Sequence, residues 1–451
     1  MNLERFIEAL RPIEAVNGAS VDVRDLAYDT RTVTPGALFF CVRGASADGH
    51  AFAPTAAAAG AVALVVERPV DVDLPQLVVA DVRDAMPVAG TLFFGDPTRE
   101  LPVAGVTGTN GKTTTAFLLH AILEAAGSQP GLLTNIERRV GGKSIPTGLN
   151  TPEAIDLQRL FRQMVDGGDR SCVMEATSIA QAQRRLVGTR FAVLVFTNLT
   201  QDHLDFHVTM ESYFEAKRRL FDQADYAVVN VEDAYGARLA KELPDAIVFD
   251  EESDALDGIE LLLRGRFNRE NAIGAVLAAR ALGIEDDAIR RGIESVRGVP
   301  GRFETIDEGQ PFTVIVDYAH TPDSLENVIR AARGLGGERL AVVFGAGGDR
   351  DRTKRGEMGR IVAELADRAI LTTDNPRSED PAEIAADVAR GALGELELEL
   401  DRRSAIELAL GEAEPGDVIV IAGRGAEPEQ ELATGKVPFD DRVVVREVLR
   451  G

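Results

Sequence analysis

The run GVTGTNGKTTT, residues 105–115, most narrows what this chain can fold into. The strand-like VAGV enters a loop with glycines at 105, 108 and 111, which ends in Lys112 and Thr113. The pattern TTTAFLLHAILEAAG follows, with Leu118, Leu119, Ile122 and Leu123 spaced for one helical face and Gly127 as a stop. A strand, a glycine loop and a helix in that order form a phosphate-binding unit. Backbone N–H groups of Gly108, Thr109, Asn110, Gly111 and Thr114 can cradle phosphate oxygens, and Lys112 can reach the outer phosphates. The Thr113 hydroxyl can ligate Mg²⁺. The spacing is a variant, because Val106 stands where the usual pattern has its first glycine. A glycine-rich turn without nucleotide is the plain alternative; the flanking strand and helix argue against it.

The rhythm that this unit sets continues to the C-terminus. CVM leads to Glu175, FAVLVF to TNLTQDH, and YAVVNV to EDAYG. After a Pro-Gly punctuation at 299–302, FTVIV leads to Asp317, LAVVF to GAGGDR, AILTT to DNPR, and VIVIA to GRGAE. Apolar runs that end in polar clusters and alternate with helical patterns read as parallel α/β sheets, with ligands at the carboxyl ends of the strands. The first hundred residues hold shorter strand-like runs, AVALVV and LPQLVVADV, and Pro97 and Pro102 bracket a boundary. Three domains follow, 1–98, 99–299 and 300–451, in an α/β fold class.

With 49 basic and 73 acidic side chains the net charge is −24. Such a surface repels nucleic acid and anionic membranes, so neither is expected as a partner, although solubility or a saline or hot habitat explains the acidity equally well. Cys41 and Cys172 are the only cysteines and lack metal-type spacing. A reducing cytoplasm therefore fits. The N-terminus lacks a signal-peptide apolar core, and the most apolar stretch, 56–66, is too short to span a bilayer, so no membrane insertion is expected.

Glu175 ends one apolar run, and Asp202, His203, Asp205 and His207 follow another. A carboxylate and an imidazole near a phosphate loop suggest Mg²⁺ ligation, while Asp205 and His207 serve equally well to shape the turn and cap the next helix. In that helix, MESYFEAKRRLF, Lys217 lies between Phe214 and Phe221 on one face. It either snorkels to solvent or is desolvated enough to react with carbon dioxide, giving a carbamate that acts as a carboxylate-like metal ligand.

Taken in order, YDTRTVTPGALFFCVRG, GVTGTNGKTTT, LNTPEAIDLQ, FTNLTQDHLDFHVTMESYFEAKRRLF, GRFNRENAIGA, VPGRFE, VDYAHTPDSL, VFGAGGDRDRTKRGEMG, DNPRSEDP and VPFDDR run from the first domain almost to the end. The chain resembles the Mur ligases, ATP-dependent amide ligases of peptidoglycan synthesis, and within them the type that adds the third residue of the stem peptide. The resemblance implies an N-terminal UDP-binding domain, a central ATPase and a C-terminal Rossmann-like domain. It implies ATP and Mg²⁺, with Thr113, Glu175, His203 and carbamylated Lys217 as metal ligands and Lys112 beside the transferred phosphate. Asn271 would meet the adenine side of ATP, and Arg302 and Asp317 its phosphate and ribose ends. Thr30, Asn150, Thr151, Ser178, Gln183 and Arg185 align with contacts to a UDP-muramoyl dipeptide. A cytoplasmic monomer acting on small molecules is expected.

The loop DNPR, Asp374 to Arg377, marks the family members that take meso-diaminopimelate rather than L-lysine. Pro376 stiffens the loop, Arg377 can bind the distal carboxylate bidentately, and Asn375 can add a hydrogen bond. With lysine bound, Arg377 would lie buried without its anion, a penalty of roughly 10³-fold. Arg350, Gly423 and Glu427 align with the remaining contacts to the amino acid. Ile179 and Asn150 stand where the family has His and Thr among the muramoyl-peptide contacts, and Ala426 stands where it has His, which leaves Glu429 as a rival to Glu427. A ligase for L-lysine or another amino acid, a regulator that has lost catalysis, and a switch NTPase are the competing readings.

Overall fold

The apolar runs of the sequence fold as strands, and the polar clusters fall at their ends. The computed structural model describes residues 1–17, 20–44 and 47–451. They form sheets of five, eight, six and two strands with helices packed on them. Two compact units result. One comprises Met1–Gly105, Ser128–Leu194 and Ala216–Asp225, the other Val106–Gly127, Val195–Glu215 and Tyr226–Gly451.

In the first unit the five-stranded sheet has the order Glu14–Val16, Gln76–Val78, Ala61–Val66, Ala37–Phe40, Asp25–Ala27. The first pair is antiparallel and the rest are parallel. Both faces are covered. Leu38, Phe40 and Val65 pack with Leu3, Phe6 and Met86, and Phe39, Leu64 and Val66 pack with Ala53 and Ala56. That double burial explains the unbroken apolar runs, where a half-exposed strand would alternate. The apolar stretch at 56–66 ends the helix Ala53–Ala58 and forms the strand Ala61–Val66. Among the described residues no helix is long and apolar enough to cross a membrane. The same unit holds Ser171–Glu175, which runs parallel to Pro130–Leu133 and ends on Glu175.

In the second unit the helix Lys112–Ala125 starts at the phosphate loop and buries Leu118, Leu119, Ile122 and Leu123, each worth roughly 2 kcal/mol of apolar burial. The six-stranded sheet has the order Glu304–Ile306, Thr313–Asp317, Val418–Ala422, Leu340–Phe344, Arg368–Leu371, Glu397–Leu398, with only its first pair antiparallel. Asp317 pairs with Ala422, and Phe344 with Leu371. This register brings the loops that follow these four strands, which start at 318, 423, 345 and 372, out at one edge. An antiparallel hairpin, Glu429–Leu432 with Gly435–Pro438, follows the last of them; the sequence reading did not anticipate it.

Candidate functional site

The phosphate loop owes its shape to the segment 197–200. Thr109 N–H donates to the Asn198 carbonyl (2.9 Å) and Asn110 N–H to the Asn198 side-chain oxygen (2.9 Å). Thr197 Oγ1 donates to the Asn110 carbonyl (2.6 Å). Two glycines are dictated by close approach and by left-handed or extended positive φ. A Cβ on Gly108 (φ 146°) would collide with Thr197 Oγ1, and one on Gly111 (φ 85°) with Asn271 Oδ1. Lys112 Nζ folds back to donate to the Gly108 and Thr109 carbonyls, at 3.0 and 2.6 Å. Asn271, expected on the adenine side, is buried and accepts from Thr115 Oγ1 (3.3 Å). Asn110 also reaches Asp323, its Nδ2 donating at 2.7 Å. This glycine cradle with a lysine at hand offers the N–H and ammonium donors that a triphosphate requires.

Arg302 joins the loop from the second punctuation of the sequence. Its Nη2 donates to Thr113 Oγ1 (2.8 Å), and its guanidinium lies 4.3 Å from the Tyr318 ring centre. Asp317 accepts from the N–H groups of Phe303 (2.6 Å) and Ala319 (2.7 Å). One oxygen thus holds the turn at Phe303 and the other the chain at Ala319, and burial pushes its carboxyl up against the pull of Arg302. His203 caps the short helix Leu204–His207 with φ 55°, its Nε2 3.4 Å from Asp202 Oδ2. His207 is buried and stacks on Tyr213, whereas Asp205 is exposed.

Tyr318 carries the contacts onward. Its hydroxyl donates to Glu427 Oε1 (3.1 Å), and burial, with Glu427 adding, pushes that hydroxyl upward. Glu427 Oε2 accepts from Asn375 Nδ2 (2.8 Å), and Asn375 Oδ1 accepts from the buried Arg424 (3.1 Å) and from Glu431 N–H (2.8 Å). Glu429, the rival carboxylate, is exposed on the hairpin. Pro376 is buried, and Arg377, at φ 52°, donates from Nε to Glu431 (2.9 Å) and from Nη1 to the Gly348 carbonyl (2.7 Å). Asp374 is buried, and a Cβ on Gly423 would strike its Oδ2. Arg350 is exposed, held by the Asp349 carbonyl at 3.0 Å, and flanks Gly347 together with Arg377. Tyr318, Arg424 and Glu431 escaped the sequence reading. Tyr318 was legible as the neighbour of Asp317; the other two gain meaning only from the hairpin.

In the first unit Thr151 is buried and donates to the Glu175 carbonyl (3.0 Å), with Thr177 Oγ1 3.1 Å away. Arg185 donates to the Thr151 carbonyl (3.1 Å) and to Gln183 (2.5 Å), and pairs with Glu153 (3.0 Å). Ser178, also buried, opens the helix Ser178–Ala182. Asn150 is exposed, and Thr30 begins a short 3₁₀ turn capped by Asp29. Lys217 is only 1% exposed, as buried as Phe214 and Phe221, so its ammonium does not snorkel. Of the four expected metal ligands, Glu175 and Lys217 belong to this unit, and Thr113 and His203 to the other.

Comparison with known proteins matches residues 22–120 to the Mur ligase family catalytic domain, 106–258 to the Mur ligase middle domain, and 301–425 to the Mur ligase glutamate ligase domain. A UDP-N-acetylmuramoyl-L-alanyl-D-glutamate--2,6-diaminopimelate ligase of Geobacillus thermodenitrificans is 42% identical over 487 residues, covering 100% of this chain and 99% of that protein. The protein of the same name from Geobacter metallireducens is 43% identical over 503 residues, covering 100% and 98%. A solved structure of a ligase of that name superposes with a TM-score of 0.65 at 31% identity, covering 99% of this chain and 98% of its own.

Proposed function

We propose a role for each part of this site from one premise: the chain belongs to the Mur ligase family. It is an ATP-dependent ligase that adds diaminopimelate to the D-Glu γ-carboxyl of UDP-N-acetylmuramoyl-L-Ala-D-Glu, with release of ADP and phosphate. The observation that carries the residue assignments is the unbroken run of contacts from Thr113 through Arg302, Tyr318 and Glu427 to Asn375. It links the phosphate end to the loop assigned to the amino acid.

In this reading the D-Glu γ-carboxylate attacks the γ-phosphate of ATP, and the resulting acyl phosphate is attacked by the amine of meso-diaminopimelate. The N–H groups of residues 108–114 hold the phosphates, and Lys112 swings from its carbonyls onto the transferred group. Arg302 adds charge at the phosphate end, where such positioned donors supply most of the acceleration. Thr113, Glu175, His203 and the Lys217 carbamate would hold Mg²⁺, which would supply positive charge against the repulsion between the two anions. Asn271 fixes the start of the loop helix, and Asp317 fixes the turn that aims Arg302. Thr30, Asn150, Thr151, Ser178, Gln183 and Arg185 bind the UDP-muramoyl dipeptide. Arg350, Asp374, Asn375, Pro376, Arg377, Gly423 and Glu427 form the diaminopimelate site, with Glu427 facing the distal ammonium. Domains spanning 1–98, 99–299 and 300–451 would bind the UDP-sugar, ATP and the amino acid, in a cytoplasmic monomer.

Phosphate release from ATP, measured with Mg²⁺ and the UDP-muramoyl dipeptide, tests this reading. Release with meso-diaminopimelate, but not with L-lysine or without an amino acid, is expected. Equal release with lysine would overturn the assignment of Arg377, and release without any amino acid would point to a switch NTPase.

A further inference from the structure

We propose that Glu431 stands in for the substrate carboxylate on Arg377 until diaminopimelate arrives, and thereby sets how strongly the site rejects L-lysine. This rests on the reading of Arg377 as the ligand of the distal carboxylate.

The guanidinium of Arg377 already has an anion. Its Nε donates to Glu431 Oε2 at 2.9 Å, and Nη1 donates to the Gly348 carbonyl at 2.7 Å. The Arg377 side chain is 20% exposed and that of Glu431 45%. The pair therefore stands at the mouth of the loop, where an exposed ion pair is worth little and a better-placed carboxylate displaces it at small cost. The backbone around it is anchored independently of the Glu431 carboxylate. Arg377 N–H donates to the Glu431 carbonyl (3.0 Å), Glu431 N–H to Asn375 Oδ1 (2.8 Å), Gln430 Nε2 to the Asp374 carbonyl (2.6 Å), and Arg424 Nη2 to the Glu429 carbonyl (2.7 Å). Removal of the Glu431 charge thus leaves the hairpin seated against the loop.

Two consequences follow. Diaminopimelate must displace Glu431, so the pair weakens its binding. L-Lysine brings no distal carboxylate, yet leaves Arg377 with Glu431 as partner, so the penalty of a stranded guanidinium, which the residues of the loop alone imply, is softened. Glu431 lowers discrimination from both directions.

Steady-state kinetics of Glu431→Gln in the full-length enzyme, with the amino acid varied, test this. KM for meso-diaminopimelate is expected to fall about two- to fivefold at little changed kcat, the worth of an exposed pair. In the same variant kcat/KM for L-lysine should fall, which widens the ratio between the two. An unchanged or raised diaminopimelate KM would overturn the proposal, and Glu431→Ala provides a second variant should the first fold poorly. Arg377→Gln separates the two levels of the argument. If it leaves the diaminopimelate KM unchanged, the reading of Arg377 itself fails; if it raises KM while Glu431→Gln does not lower it, only the role of Glu431 fails.

Discussion

Arg302 donates to the hydroxyl of Thr113 across 2.8 Å, so a side chain that follows a Pro-Gly turn reaches back some 190 residues into the phosphate loop. Its plane also lies over Tyr318. The planar guanidinium makes both contacts at once, its face on the ring while an edge N–H donates, which the point charge of a lysine does not match. Arg302→Ala should lower kcat/KM for ATP about 10²-fold, the usual cost of one positioned donor, and Arg302→Lys should recover only part of it. Kinetics with ATP varied at saturating amino acid provide the check, and a lysine variant as active as the parent would break the link between Arg302 and the nucleotide.

Lys217 is buried to 1% exposure. The metal site proposed above takes this lysine as its carbamate, whose carboxylate-like oxygens would serve as cation ligands. Protein equilibrated with ¹³C-bicarbonate should take up one label that Lys217→Ala lacks, and the variant should lose at least about 10²-fold in kcat. Labelling that is identical in both proteins would sink the carbamate.

Much of this site could be read in advance because its chemistry sits at the ends of apolar runs. Glu175 ends a buried strand and Lys112, Thr113, His203 and Asn375 follow others within a short loop, so a pattern of period and punctuation singled them out as candidates. The glycines at 108 and 111 were legible as a loop; their individual necessity was not, because it arises from Thr197 and Asn271, which are distant in sequence. Glu431 was invisible for the same reason. Nothing local in PEQEL marks the position, and its meaning depends on a hairpin that docks on the DNPR loop. The strands of the first hundred residues were only partly legible, since short runs buried on both faces carry no alternation.

The cysteines offer a prediction with a definite pH sign. Cys41 and Cys172 are both buried. Burial, with Asp48 adding and Arg68 opposing, pushes the Cys41 thiol up to about 12, and burial pushes Cys172 up as well. In the unfolded chain a thiol ionises near 8.5. Above that value the native state binds more protons than the unfolded state, so the stability these thiols contribute is complete below about pH 8.5 and declines as pH rises toward 12. At pH 8 an aromatic disulfide reagent should leave the native protein unmodified and titrate both cysteines after denaturation. Rapid reaction of one equivalent in the native state would contradict the burial.

Asp202 and Lys354 form a deeply buried acid–lysine pair, 3.2 Å apart with both residues at most 6% exposed. Burial alone would push the Asp202 carboxyl up, yet Lys354, His320 and His203 together hold it well below the ordinary carboxylate range. Beside it Gln201 donates to Asp351 (3.1 Å) and Thr353 (2.8 Å), so the segment carrying His203 is fastened to residues 351–354 by several polar contacts. Removal of one member leaves the other buried with weaker compensation, from His320 and His203 for Asp202 and from Asp351 for Lys354. Lys354→Met should therefore destabilise by about 3 kcal/mol, and Asp202→Asn by a similar amount. The double variant leaves neither charge under-compensated, so its loss should be smaller than the sum by roughly 1–3 kcal/mol. Urea unfolding of the four proteins closes the cycle. Strict additivity would mean that the pair is incidental and that His203 is held by its turn alone. The predicted coupling would make Lys354 a positioning residue, in which case Lys354→Met should also lower kcat while leaving the diaminopimelate KM near its parent value.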